Sequence, residues 1–390
     1  MYDLIQALNI TSMTIGVLNE PNPETRVSLL PEHVAILTKW NIEVIIEEGA
    51  GSSAFANDDK YAEAGAIIGK RQTVVNASQI ILCINPPASS DLQSMENKTI
   101  LGVFQPLFNY RLMQTFASQN TTVFSIDMIP RTTRAQSMDV LSSQANIAGY
   151  KAVLTAANLY PKYFPMFMTA AGSIPPAKML ILGAGVAGLQ AIATGRRLGA
   201  IVEVFDTRPA VREEVMSLGA KFVEVEGAAD PGSAGGYAVE QTEEFMQRQK
   251  AKIAEHVAKA DIIITTAQIP GKKAPVLITT EMIEAMKNGS VIIDLAAVTG
   301  GNTELTRNDQ TVIHQGVSIV GDSKLASTLP SDASKLYGKN IVNFLQLLTD
   351  AEGNLNLNFE DDLVKGTCIV HEGKIVNKRV SELIGIFPNK

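Results

Sequence analysis

Residues 179–190 run MLILGAGVAGLQ, and no other stretch constrains the fold of this chain as strongly. Gly183, Gly185 and Gly188 form G-x-G-x-x-G directly behind an apolar strand pattern and ahead of a helical one. A strand, glycine turn and helix in this order open a dinucleotide-binding sheet. The first glycine makes the tight turn, the second lets a pyrophosphate approach the backbone, and the third lets helix and strand pack closely. The helix N-terminus then offers unpaired N–H groups to the anion. About 20 residues on, the apolar run IVEVF ends at Asp206, placed for the ribose hydroxyls. That carboxylate repels the 2′-phosphate of NADP, so NAD is favoured. Arg208 argues the other way, because an arginine can hold that phosphate.

The same alternation extends along the chain. Met13–Leu18, Glu43–Ile46 and Gln79–Asn85 are expected as strands, with Leu30–Trp40 and a stretch from Tyr61 as helices. Further on, Lys178–Leu182, Ile201–Phe205, Phe222–Val225, Asp261–Thr266, Ser290–Leu295 and Gln315–Val320 are strand patterns, with Val186–Leu198 a helix. Near-continuous apolar runs of this kind belong to parallel strands covered on both faces. Leu141–Tyr160 is expected as a long helix joining two halves, and Asn340–Leu348 as an apolar helix of a tail packing back on the first half. The fold class expected is α/β: two Rossmann-like domains with parallel sheets, separated by a cleft and bridged by the long helix. The first domain covers 1–141, completed by 328–390, and the nucleotide domain covers 142–327.

Composition narrows the function classes. With 390 residues, 46% of them hydrophobic and 19% charged, the chain supports two cores and is not disordered. Thirty-three basic against 40 acidic residues give a net charge of −7, with no basic run to serve as a nucleic-acid footprint. Cys83 and Cys368 form no CxxC pair, so neither a disulfide scaffold nor a cysteine zinc site is expected, and no metal ligands are assigned. No stretch approaches the roughly 18–20 apolar residues of a membrane span. The opening MYDLIQALNI lacks the features of a secretory signal, and the chain taken alone reads as soluble and cytosolic.

Acid–base chemistry is missing where a conventional dehydrogenase needs it. The four histidines, His33, His256, His314 and His371, lie away from the glycine turns among polar neighbours, as surface histidines do. There is no GxSxG, HExxH or P-loop. Pro130–Tyr150 instead gathers Arg131, Gln136, Asp139 and Ser142 between apolar runs. Ser137 or Asp139 capping the long helix explains part of that polarity. The rest is suited to gripping a carboxamide and ribose without moving protons. Residues 226–240, rich in Gly, Ala and Ser, are by composition a connector, though a long one for a compact α/β unit.

Four stretches carry a resemblance: RAQSMDVLSSQANIAGYKAV, MTAAGSIPPAK, GAGVAGLQAIATGRRLGA and QIPGKKAPVLIT. They resemble the NAD(H)-binding component of proton-translocating NAD(P) transhydrogenase, over about Met13 to Cys368; the first 12 residues have no counterpart. The resemblance implies that Arg131, Gln136, Asp139 and Ser142 place the nicotinamide, with Gln136 reaching toward the ring. It implies that residues 226–240, carrying Tyr237, are a loop that closes over NAD(H). Gly183, Gly185, Val186, Ala187, Gly188, Asp206, Thr207, Arg208, Thr266 and Ala267 are its expected cofactor contacts, with Gly301 and Asn302 at a turn near the nucleotide. The implied activity is direct hydride transfer between NAD(H) here and NADP(H) on a partner subunit. Implied too are membrane-spanning partners that translocate protons, a homodimer, and a cytoplasmic place on the inner membrane through those partners.

The wider superfamily includes alanine dehydrogenase, which shares the pattern IGVLNEPNPETRVSLLPEHV. Its carboxylate-binding arginine corresponds to Arg26, but its substrate lysine falls at Asn85, its catalytic histidine at Gln105 and its aspartate at Val298. Imine reduction would therefore lack its proton donor. A NAD-sensing module without hydride transfer is a third reading, and it leaves the Arg131–Gln136–Asp139–Ser142 group unused.

Overall fold

The computed structural model describes residues 13–225 and 242–385. The chain divides into two compact units, Met1–Gln144 with Leu329–Lys390, and Ala145–Thr328. The division falls inside the helix Val140–Leu159, the long helix expected from the sequence.

In the first unit the leading strands are β1 (Thr14–Val17), β2 (Glu43–Glu47), β3 (Ile67–Gly69), β4 (Ile80–Leu82), β5 (Thr99–Gly102) and β6 (Thr122–Ser125). The second unit holds β7 (Phe167–Thr169), β8 (Gly172–Ile174), β9 (Lys178–Leu182), β10 (Ile201–Phe205) and β11 (Lys221–Phe222). It continues with β12 (Ile262–Thr265), β13 (Val291–Asp294), β14 (Thr311–His314) and β15 (Val317–Val320). β16 (Cys368–His371) and β17 (Lys374–Ile375) return to the first unit.

The first sheet has the order β17-β16-β6-β5-β4-β1-β2-β3. Its strands β1 to β6 are parallel, and β16 and β17 are added antiparallel at one edge. The second has the order β11-β10-β9-β12-β13-β15-β14, parallel except for the antiparallel edge strand β14. The sheets are therefore parallel-dominated, not purely parallel as the apolar runs suggest. The Gln315–Val320 run explains one of the edges. Gln315 and Gly316 carry φ of 45° and 78°, so they form the turn that reverses β14 into β15, and the strand begins at Val317. The expected strand Phe222–Val225 is shorter in the structure, covering only Lys221–Phe222.

Period-2 alternation divides each core between the two faces of its sheet. In the first unit, Ile15, Val17, Val44, Ile46, Ile80 and Leu82 pack on one face with Tyr337 and Ile341 of helix Pro330–Leu345. Ile45, Ile81, Ile100 and Val123 pack on the other. In the second, Met179, Ile181, Val202, Val204, Ile262 and Ile264 face one way, and Leu180, Leu182, Phe205 and Ile263 the other. Both sheets reverse strand order at one point, between β1 and β4 and between β9 and β12, and α/β sheets bind ligands outside the carboxyl ends of strands at such points.

Candidate active site

β9 ends at Leu182 and the helix Val186–Arg197 begins shortly after, with Gly185 as its N-cap. The three fingerprint glycines do three different things. Gly183 holds φ at 106°, a left-handed turn costly for other residues, and an added Cβ would lie 2.4 Å from Thr266 Oγ1. Gly188 brings the helix onto the strand: a Cβ there would lie 1.9 Å from the Gly183 carbonyl oxygen. At Gly185 a Cβ would meet nothing within 4 Å, so the missing side chain leaves room outside the strand end and beside the helix N-terminus. That open side, with the helix N–H groups of Val186 and Ala187 beginning there, fits a pyrophosphate. Gly149 of the long helix sets a further close approach, since its Cβ would lie 2.1 Å from the Ala187 carbonyl oxygen.

Asp206 follows β10 and is committed on both oxygens. Oδ2 accepts the Ala184 N–H at 2.7 Å, bracing the glycine turn from the neighbouring strand. Arg208 folds back on the same carboxylate, with Nε donating to Oδ1 at 2.9 Å and Nη2 to Oδ2 at 2.8 Å. Arg208 is held to Asp206 through two side-chain bonds, and Thr207 lies between them.

On the other side of the reversal, β12 leads into Thr266 and Ala267. Thr266 Oγ1 donates to the Gly183 carbonyl at 3.0 Å. Asn302 is fully buried and acts as a clamp. Its Oδ1 accepts the Ala267 N–H at 3.0 Å, and its Nδ2 donates to the carbonyls of Ala267 and Pro275, both at 2.8 Å. Asn302 is held in turn by Asp294 at the end of β13, which accepts the Asn302 N–H and the Thr306 hydroxyl. With all three side-chain contacts made inside the protein, Asn302 shapes the Ala267 backbone, and the adjacent Gly301 holds φ at 81°. The acid at the end of the VIID strand is the sequence signal for this clamp. Tyr237 and the whole segment 226–240 lie outside the described residues.

Arg131, Gln136, Asp139 and Ser142 lie together in the first unit, on and beside the 3₁₀ turn Thr133–Met138. Ala135 and Met138 are buried and anchor the turn, while Gln136 between them is exposed. Asp139 caps the long helix: Oδ1 accepts the Ser142 N–H at 2.9 Å and Oδ2 its hydroxyl at 2.6 Å. Of the two caps open to the sequence, Asp139 is the one used. The neighbouring Arg134 forks onto Asp361 and also reaches Asp362.

The surface reading of the histidines needs correction for two of them. His33 is buried, and its Nδ1 accepts the Leu30 N–H, so burial pushes its pKa down. His256 is buried too, with Nδ1 2.6 Å from Glu203. An imidazole that caps a helix start or pairs with a neighbouring strand is satisfied where it sits. His314 pairs with Glu284, and His371 lies 3.1 Å from the Thr122 hydroxyl.

Residues 16–148 match the N-terminal domain model of the alanine dehydrogenase/PNT family, and residues 152–378 match its C-terminal domain model. The chain belongs to the alanine dehydrogenase/PNT family. Within it, the chain sides with the transhydrogenases. NAD(P) transhydrogenase subunit alpha of Haemophilus influenzae is 44% identical over 93% of this chain and 71% of that protein. The crystal structure of transhydrogenase from Sinorhizobium meliloti matches with a TM-score of 0.85 and 42% identity, over 93% of this chain and 100% of that one. Alanine dehydrogenase 2 of Staphylococcus aureus stands further off, at 26% identity over 95% of this chain and 96% of that protein.

In this chain Arg26, Asn85 and Gln105 belong to the first unit. Its strand reversal opens a cavity of about 480 Å³ lined in part by Glu20, Glu47, Arg71 and Asn85. Arg26 nearby gives Nε and Nη2 to Glu24, at 2.8 and 2.7 Å, and Nη1 to Gln144 at 2.8 Å. Asn85 is bound by Glu20 and Glu24. Gln105 is exposed with φ of 47°, and in the second unit Val298 is 47% exposed in the 3₁₀ turn Ala297–Thr299. No titratable group occupies positions 85, 105 or 298, and the arginine is already paired.

Burial alone would raise the Glu24 carboxyl, but the Arg26 hydrogen bonds and charge hold it below the usual carboxylate range. A depressed acid contributes stability that is present above its unfolded pKa of about 4.3 and lost as pH falls through the folded value. Glu24→Gln is expected to cost about 3 kcal/mol near neutral pH, because it leaves a buried guanidinium unpaired. The gap in thermal stability between wild type and Glu24→Gln should narrow on acidification below about pH 4.3, as followed by circular dichroism melts.

Proposed function

We propose that this chain is the NAD(H)-binding component of a proton-translocating NAD(P) transhydrogenase. The reaction is NADH + NADP⁺ ⇌ NAD⁺ + NADPH, with NAD(H) on this chain and NADP(H) on a partner subunit. The observation that carries the proposal is the G-x-G-x-x-G turn of the second unit, open beside Gly185, in a chain with no titratable group at positions 85, 105 and 298. When bound, the two nicotinamides supply all of the redox chemistry, and a direct hydride step needs no side-chain acid or base.

The residues of this chain then bind, orient and exclude. Gly185, Val186 and Ala187 receive the pyrophosphate, and Gly183 and Gly188 set the turn that makes room for it. Asp206, braced by Ala184 and Arg208, takes the ribose of the adenosine half, with Thr207 beside it. Thr266 and Ala267 contribute the backbone edge across the strand reversal. Arg131, Gln136, Asp139 and Ser142 place the nicotinamide end. In this proposal residues 142–327 are the NAD(H) domain, and 1–141 with 328–390 are the other.

Membrane-spanning subunits carry the proton path in this proposal; among the described residues no helix is long and apolar enough to cross a membrane. The chain acts on the cytoplasmic side of the inner membrane through them. A homodimer belongs to the same proposal. The β7–β8 hairpin supports it, with Met166, Phe167 and Met168 exposed and Tyr163 stacked on Phe167 at 5.1 Å between centroids.

Fluorescence titration of the protein with NADH and NADPH tests the cofactor assignment. NADH is expected to bind at least about tenfold more tightly, from the repulsion between Asp206 and a 2′-phosphate. Asp206→Asn should narrow the ratio, because it removes that charge and releases Arg208 toward the phosphate. Equal affinities in the wild type would contradict the assignment.

A further inference from the structure

Pro330–Leu345 is a helix of the first unit whose buried face is apolar except at a few positions, and Asn340 is one of them. Asn340 is 8% exposed and bonds both to the 3₁₀ turn Thr133–Met138 and to the first turn of helix Val140–Leu159. Nδ2 donates to the Ser137 carbonyl at 2.8 Å, and Oδ1 accepts the Ser143 hydroxyl at 2.7 Å. A single amide therefore bridges residues 137 and 143, and the span it closes contains Asp139 and Ser142, with Gln136 adjoining it. We propose that Asn340 is a positioning residue for hydride transfer, holding the loop of Gln136, Asp139 and Ser142 in one geometry. This rests on the reading that the loop places the nicotinamide.

The surroundings show why a clamp is needed at this point. Upstream, the loop is tied by Arg134 to Asp361 and Asp362. Downstream, the Gln144 side chain accepts from Arg26 at Oε1 and donates from Nε2 to the Ala333 carbonyl at 3.1 Å. Between these ties the backbone must leave a 3₁₀ turn, pass through Asp139 at φ −77° and ψ 91°, and enter the long helix. The Asp139–Ser142 cap fixes those two residues to each other. Asn340, helped by the exposed Asn343 amide on the same Ser137 carbonyl at 2.9 Å, fixes them to the rest of the unit. Asn340 and Asn343, three residues apart in NIVNFL, lie on neighbouring parts of the helix surface and converge on one carbonyl.

Loss of the clamp leaves the fold intact, because each group keeps another partner. Ser137 keeps Asn343, and Ser143 turns its one hydroxyl proton to the Val140 carbonyl, 3.1 Å away. The cost falls on loop geometry, where a displacement of about 1 Å is worth as much as a hundredfold in rate. Asn340→Ala removes both bonds. Asn340→Asp preserves shape and the acceptor for Ser143 but sets a carboxylate against the Ser137 carbonyl.

Both variants are to be assayed in the whole chain, with NADH and a transhydrogenase NADP(H)-binding component carrying NADP. Single-turnover hydride transfer and NADH affinity are measured alongside hydrogen exchange of peptides covering 132–143. The expected result is a roughly 10- to 100-fold slower transfer in both variants. NADH affinity should stay within about threefold of wild type, since the glycine turn supplies it, and exchange should be faster in 132–143 alone. Transfer at the wild-type rate, unchanged exchange, or a rate loss matched by an equal loss of NADH affinity would each overturn the positioning role. A wild-type chain that transfers no hydride would instead remove the functional reading, and the proposal with it, so the two failures are told apart.

Discussion

Gly185→Val is expected to abolish useful NAD(H) affinity while leaving the chain as well folded as the wild type. An added Cβ at this position meets nothing within 4 Å, and the backbone there, at φ −79° and ψ −170°, suits any residue. The added Cβ therefore enters the space assigned to the pyrophosphate without meeting the protein. Valine is a poorer N-cap than glycine, which costs up to about 1 kcal/mol, or a few degrees in Tm. The dissociation constant for NADH should rise at least ~100-fold, equivalent to about 2.7 kcal/mol. Calorimetric titration with a parallel melting curve checks both halves. Unchanged affinity would mean that the open side of Gly185 is not where the nucleotide lies.

Gly188→Ala, three residues on, is expected to behave in the opposite way. Its Cβ would lie 1.9 Å from the Gly183 carbonyl oxygen, which already accepts the Thr266 hydroxyl. No flexible side chain can yield there, because the obstacle is backbone. The helix must withdraw from β9, losing close packing of Ala191 and Ile192 against the core they share with Ile181. A loss of about 3 kcal/mol follows from overpacking of this kind, seen as a fall in Tm on the order of 6–12 °C. NADH affinity should fall too, as a consequence of the displaced turn. A variant melting with the wild type would show that the glycine is dispensable for packing. Together the two substitutions separate binding from folding within one short motif.

The second unit is the more legible from sequence, and the physical reason is plain. β9, β10, β12 and β13 lie in the apolar, β-branched runs KMLIL, IVEVF, DIIITT and SVIIDL, which stand out by composition rather than by length. The first unit's β3, β5, β6 and β16 are only three or four residues long, too short for periodicity to separate them from their surroundings. Antiparallel edges at β14 and β17 depend on turns such as Gln315–Gly316, which a run of apolar residues hides. At the site, Asp206 is visible as an acid at a strand end. Its capture of Arg208 is not, because two-residue spacing alone does not say whether the guanidinium folds back or points outward. The roles of Glu24, Asn302 and Asn340 are hidden for a related reason. Each stands in mixed or polar sequence that marks nothing by itself, and its partner is a distant or backbone group that its own sequence type does not name. Asp139 is half legible: the residue types allow a helix cap at residue 137 or 139, and the geometry selects the second.

Hydride transfer to a partner subunit is the central claim, and a spectrophotometric assay addresses it most directly. The protein is mixed with NADH, an oxidised NAD analogue of shifted absorbance, and a transhydrogenase NADP(H)-binding component carrying NADP. Parallel reactions omit that component or replace it with pyruvate and ammonium. Reduction of the analogue only when the NADP(H)-binding component is present is the predicted result. NADH oxidation with pyruvate and ammonium alone would contradict it, because some group would then be donating the proton that Asn85, Gln105 and Val298 cannot supply.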